Sequence, residues 1–243
     1  IPSYFMSCFP WPKESLGKLE SLSRAFFWQG KNKVKGGQCL VAWDTVSSPR
    51  INGGLGIRQL QAHNQAMMCK FVSKVIQGSY IPCYNWFATH YCQAILPQSA
   101  SSRDTAIWKG FKDLVPMVIN SSKCVMGSGL LISFRKDQWL EAGRLYQLFP
   151  MLYSFAIQPD FSVHSQHSNG SWAVQLHHNL SQTASAALAV LHDLLLGIAP
   201  NLLHEDQRTA SVSSGQLCTG YFYRLLTFRG VLSTLDTWVW EPM

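Results

Sequence analysis

The chain has 243 residues, 47% of them hydrophobic and only 14% charged. That balance excludes an intrinsically disordered protein and supplies apolar material for one large or two small domains. No apolar run reaches the roughly 18–20 residues of a membrane helix; the best one, residues 184–199, is broken by His192 and Asp193. The net charge of +7 sits in the first third: residues 1–75 carry ten basic side chains against three acidic ones, and residues 76–243 carry ten of each.

Residues 1–10 are apolar but lack the basic n-region of a signal peptide, so they are expected to be an internal segment of a longer chain. Helix is expected over 12–28, with Pro12 in the first turn and Leu16, Leu19 and Phe26 at helical spacing up to Gly30. Residues 31–37 read as a basic, glycine-containing loop. Leu40 to Trp43 is a short apolar run, either a strand or an extended segment, and Pro49 with Asn52-Gly53-Gly54 marks a turn. A second helix is expected over 58–77, its stripe formed by Leu60, Met67, Phe71 and Val75, with Gly78 at its end. Residues 79–103 are weakly patterned and read as a linker.

Beyond the linker, 108–114 reads as a short helix and 125–139 as a strand or hairpin around Leu130 to Phe134. Residues 158–170 read as a polar loop. Ser171 is expected to cap a helix starting at Trp172, one long or two short helices ending near Gly197. Residues 221–229 again look helical. The fold class is therefore mainly α with an α+β part: a small helix bundle, then a helical connector with a short β-hairpin. Trp28 and Trp43 are expected in the core. The seven cysteines (8, 39, 69, 83, 92, 124, 218) are odd in number and never spaced C-x-x-C. That argues against a disulfide framework and for a reducing, intracellular setting, nucleus or cytoplasm.

Candidate chemistry is sparse. His164 and His167 form an H-x-x-H pair with His177-His178 ten residues on, and Cys83, His90 and Cys92 lie close together. Neither set has the three or four ordered ligands of a zinc site, so both read as core or surface residues and no metal or other cofactor is expected. There is no nucleophile elbow and no phosphate loop. Asn52-Gly53-Gly54-Leu55-Gly56 reads as a plain tight turn before it reads as a phosphate cradle. The thirteen acids are dispersed, whereas two-metal phosphoryl chemistry needs clustered carboxylates. No catalytic residue is expected.

Several segments in order resemble one family. Residues 1–30, IPSYFMSCFPWPKESLGKLESLSRAFFWQG, start I-P-x-Y-x-M-S and end in an R-x-F-x-W-like run at Arg24, Phe26 or Phe27, and Trp28. Val41-Ala42-Trp43-Asp44, Ser47-Ser48-Pro49-Arg50, Gly53-Gly54-Leu55-Gly56-Ile57-Arg58, and Asn64 with Ala66 continue the pattern. Gly127-Ser128-Gly129 with Phe134, Asp137 and Trp139 follows, then Leu148-Phe149-Pro150, and Asp206 and Arg208 with Gly215, Leu217 and Tyr223. Together they resemble plant non-LTR (LINE-type) retrotransposon reverse transcriptases, in the stretch covering the thumb and the connector before the reverse-transcriptase zinc-binding domain. Ser47 stands where a Cys is common, Arg135 where a Trp is usual, and Cys218-Thr219-Gly220 replaces a polar run.

The resemblance implies a thumb-like basic helical segment (1–78), the linker (79–103), an α+β connector (104–214) and the start of a truncated zinc-binding-type module (215–243). It implies a fragment of an RNA-directed DNA polymerase that lacks the catalytic palm, which would lie upstream as a partner in the parent protein. The partner implied for the basic third is an RNA/DNA template–primer duplex, held through Lys13, Lys18, Arg24, Lys31, Lys33, Lys35, Arg50, Arg58, Lys70 and Lys74. The alternative is a non-catalytic interaction scaffold, or a degenerate transposon-derived protein without activity.

Overall fold

The computed structural model describes residues 2–91, 104–157, 160–168, 170–212 and 215–227. The rest of the expected linker (92–103) and of the expected zinc-binding-type module (228–243) lies outside the described residues. A helix not anticipated from the sequence, α1 (Pro2–Cys8), opens the chain. Pro12 precedes α2 (Lys13–Gln29), which ends where Gly30 turns left-handed (φ 62°) and donates its N–H to Phe26 O, a stop that a residue with a Cβ resists.

Trp43 does not close a strand. It opens a single-turn helix, α3 (Trp43–Val46), because the N–H groups of Thr45 and Val46 fold back onto Ala42 O. Then comes α4 (Leu60–Ile76), the hub of the molecule, which touches α1, α2, α5 (Pro82–Tyr91), α6 (Ala106–Asn120) and α10 (Thr219–Thr227). Its buried apolar residues are Ala62, Ala66, Met68, Cys69, Val72, Val75 and Ile76, with Asn64 and Ser73 buried beside them, so burial wraps most of the helix. The expected single stripe was too narrow: Leu60, Met67 and Phe71 are only half-buried. Small side chains at 62, 66 and 69 let neighbouring helices approach closely, as dense packing requires.

The first core lies between α4, α5, α6 and α10. Phe87 of α5, Trp108 and Phe111 of α6 and Phe222 of α10 are buried there. Phe71 meets Phe87 edge-on at 5.3 Å and 88°, Phe87 lies tilted to Phe111 at 4.9 Å and 40°, and Trp108 stacks on Phe111 at 5.1 Å and 19°, edge-on and offset arrangements being those the ring quadrupole favours. Thr105 caps α6 by accepting from Trp108 N. Helix α5 falls inside the segment read as a linker; its apolar Phe87 is what ties it down.

The second core is built on β1 (Ser122–Val125), the loops after it, α7 (Leu145–Leu148), α8 (Pro150–Ser154) and α9 (Gln182–Leu195). Ile132, Phe134, Leu140, Leu145, Leu152, Val163, Ala184, Leu191 and Leu195 fill it. Strand β1 pairs antiparallel with β4 (Gln207–Ala210), Ser122 opposite Ala210 and Val125 opposite Gln207. A short hairpin joins β2 (His167–Ser168) to β3 (Ser171–Trp172). The hairpin therefore sits at 167–172 and not at 125–139, where the segment from Gly129 to Phe134 bonds instead to residues 161–164. Ser171 is in strand β3. The helix cap ten residues later is Ser181, whose Oγ accepts from Ala184 N. The chain is mainly helical with two small two-stranded sheets among the described residues, and none of the helices there is long and apolar enough to cross a membrane.

Candidate functional site

A buried polar seam runs between the two cores, and the motif residues of the connector meet in it. The antiparallel pairing of β1 with β4 sets Arg208 opposite Cys124. The Arg208 guanidinium then reaches Asp137 in a two-pronged contact, Nη1 to Oδ1 at 2.7 Å and Nη2 to Oδ2 at 2.8 Å. Its Nη1 also donates to Ser122 Oγ at 3.0 Å, and Asp137 Oδ2 accepts from Ser133 N at 2.8 Å. Burial works against the charge on Arg208, but the surrounding groups, the Asp137 carboxylate first among them, together more than offset that and raise its pKa. Cys124, across the ladder, has its thiol pushed up to about 12, chiefly by burial; a thiol so far from ionising is a packing group.

The same pairing brings Asp206, just ahead of β4, against the loop that leaves β1. Asp206 Oδ1 accepts from Gly127 N at 2.9 Å and Gly129 N at 2.7 Å, and Oδ2 accepts from Leu131 N at 2.9 Å. One carboxylate thus fixes three backbone amides, two in the Gly127-Ser128-Gly129 element and one just after it. Arg144 closes the seam by donating through Nη2 to Ile119 O at 3.1 Å and Asn120 O at 2.9 Å, carbonyls at the buried end of α6 that lack a partner within the helix. Arg144 and Arg135 both have their pKa lowered, first of all by burial.

The motif residues of the first third are likewise occupied within the chain. Asn64 is buried in α4, where its Nδ2 donates to Met6 O at 2.6 Å and Phe9 O at 2.8 Å while Oδ1 accepts from Trp11 N at 3.0 Å. It fastens the turn between α1 and α2. Asn52 N and Gly54 N both donate to Pro49 O, Gly53 N to Arg50 O, Leu55 N to Val46 O and Gly56 N to Ser48 O. Every amide from 52 to 56 has an internal acceptor, so the glycine block is a tight turn and offers no phosphate cradle. Glu20 of α2 accepts from Leu60 N at 2.9 Å and Tyr223 Oη from Gln59 N at 3.0 Å, which caps α4 from two distant segments.

The ten basic residues read from the sequence lie on α2, on the 31–37 loop, around the 49–58 turn and on α4. Lys13, Lys18, Lys31, Lys33, Lys35, Arg50, Arg58 and Lys70 are exposed; Arg24 and Lys74 are half-buried. The three lysines of the 31–35 loop stand together, and Lys70 and Lys74, one turn apart, share a face of α4. Arg50 Nε donates to Leu55 O at 3.4 Å. Arg58 Nη1 lies 3.3 Å from His63 Nε2, and the pKa of His63 is lowered by burial first and by Arg58 second. No carboxylate pairs with any of the ten among the described residues.

Trp28 and Trp43, expected in the core, are half-buried, gathered around Phe27 at 5.0 Å and 6.0 Å between ring centres. Among the described residues no three metal-ligating side chains come together. His167 packs edge-on against Trp172 at 5.0 Å, and His90 stacks on Trp86 at 4.7 Å.

The sequence is similar to two proteins of Arabidopsis thaliana. One, named "Putative ribonuclease H protein", is 29% identical over 156 residues, which make 61% of this chain and 24% of that protein. The other, named "Uncharacterized mitochondrial protein", is 25% identical over 146 residues, 58% of this chain and 92% of that protein. The match thus spans about a quarter of the first relative and nearly all of the second. No family model matches the sequence, and no solved structure matches the fold. Low-identity kinship with plant ribonuclease H-like and mitochondrial proteins is in keeping with a retroelement-related chain.

Proposed function

We propose that the chain is a non-catalytic piece of a retroelement reverse transcriptase, covering a thumb-like segment and its connector, and that its first third holds a template–primer duplex by the phosphate backbone. The observation that carries this reading is the state of the basic side chains: eight of the ten are exposed, and none is paired with a carboxylate among the described residues. Cations without a carboxylate partner keep their charge available to neutralise phosphates, and contacts of that kind set register without reading sequence. No step of nucleotide addition is assigned to the chain itself; the palm of the parent protein would supply it. The same neighbour would cover part of the apolar surface. A second reading, an interaction scaffold or a degenerate remnant without activity, draws on the exposed Tyr80, Ile81, Leu130, Leu202 and Leu203.

Duplex affinity measured at several salt concentrations separates the two. A face that neutralises about four phosphates gives a log–log slope of about −3 to −4. Replacing Lys31, Lys33 and Lys35 with Ala is expected to weaken binding to every sequence and to reduce the slope by up to about three. Replacing the exposed Lys109, Lys123 and Arg224, in the neutral part of the chain, is expected to change little. Equal losses from both triple variants would overturn the reading, and template-dependent nucleotide incorporation by the chain alone would overturn its non-catalytic half.

A further inference from the structure

We infer that Phe26 is a stacking platform for an unpaired nucleobase, placed beside the lysine loop that holds the strand. The inference rests on the nucleic-acid reading above and adds to it a second ligand class, single-stranded nucleic acid. Phe26 is 73% exposed, although its neighbours in sequence are engaged: Ala25 is buried, and Phe27 packs edge-on against Trp28 and Trp43. No ring pair among the described residues includes Phe26. At spacings of three and four it shares a face of α2 with the exposed Leu19 and Leu22, and Lys18, one turn before Leu22, borders that face.

The helix stop sets the geometry. Gly30 N donates to Phe26 O at 2.8 Å, so the loop that carries Lys31, Lys33 and Lys35 leaves directly from the turn that presents the ring. An open aromatic face next to unpaired cations is the combination that binds single strands without sequence preference: the cations track phosphates and the ring takes a base. Charge complementarity favours this occupant over a second apolar protein face, since residues 1–75 carry ten basic side chains against three acidic ones.

The test compares a single-stranded oligothymidylate with an abasic phosphodiester chain of equal length, which keeps the charge and removes the bases. Wild type is expected to bind the base-bearing chain about five- to tenfold more tightly. Phe26→Ala and Phe26→Leu are expected to lose that preference with an unchanged salt slope, and Phe26→Trp to keep it. Equal binding of both chains by wild type would overturn the inference and leave the duplex reading standing. Binding of neither chain, at any salt, would overturn both. Were Phe26→Ala to abolish self-association in sedimentation while the base preference persisted, the face would be a protein contact and the inference would fall.

Discussion

Asp137 and Arg208, 71 residues apart in sequence, are bound side by side in the interior, with the carboxylate wholly buried and both of its oxygens on the guanidinium. This contact ties the loop after β1 to β4, and so ties the second core to the strand that leads into the first. Removing one partner leaves an uncompensated buried charge. Asp137→Ala or Arg208→Ala is therefore expected to cost about 3–5 kcal/mol in urea denaturation, whereas replacing both together with apolar residues of similar volume recovers most of the loss. A double variant as unstable as the worse single one would show that the pair does more than neutralise itself.

Asp206 is the second fastener of the same region. Its three backbone bonds have no substitute acceptor in Asp206→Ala, and each amide left unpaired costs part of its desolvation penalty, about 1–3 kcal/mol. The expected result is a drop in stability with the largest gain in hydrogen exchange at the amides of Gly127, Gly129 and Leu131. Asp206→Asn keeps one carbonyl oxygen and is expected to fall between. Uniform exchange across the chain would place the effect on global unfolding instead.

What could be read in advance follows from the range of each signal. Helices α2, α4, α6 and α10 announce themselves through local period and stops, because Pro12, Gly30 and Gly78 act within a turn of where they stand. The residues Asp137, Asp206 and Arg208 were visible as motif positions, but their contacts were not. These depend on β1 pairing with β4 across the whole second core, and two four-residue strands of mixed polarity carry no local mark of their partner. Ser171 and Ser181 present the same cap chemistry; packing of Trp172 on Trp139 at 5.8 Å and 25° decides against the first. Asn64 had a usable signal, a lone amide on the buried side of a helix, which must find acceptors.

Two glycines with opposite surroundings should respond in opposite ways. A Cβ on Gly54 would fall on the Ser48 carbonyl oxygen, a backbone atom that cannot turn aside, while one on Gly17 would meet nothing. Gly17 lies inside α2, where Ala is preferred over Gly by about 0.5–1 kcal/mol. Thermal denaturation is expected to show Gly17→Ala slightly more stable than wild type and Gly54→Ala clearly less stable. Equal midpoints for the two would mean that the 49–56 turn yields freely and does not hold α3 against the start of α4.

His63 provides the pH-dependent prediction. A guanidinium only donates hydrogen bonds, so the ring nitrogen that faces Arg58 must be unprotonated, and the ring also meets Tyr223 in a T-shaped contact at 6.1 Å. Burial and then Arg58 lower its pKa below the ordinary 6.5. The sign follows: as pH falls past 6.5, the unfolded chain takes up a proton before the folded one does. The stability contributed by neutral His63 is thus present above the ordinary value and lost as pH falls through the folded value. In an NMR titration the imidazole midpoint is expected below 6.5, and Arg58→Ala is expected to raise it only partway, because burial is the larger cause. A midpoint at the ordinary value in wild type would place the ring in water, and full recovery in Arg58→Ala would reverse the ranking of the two causes.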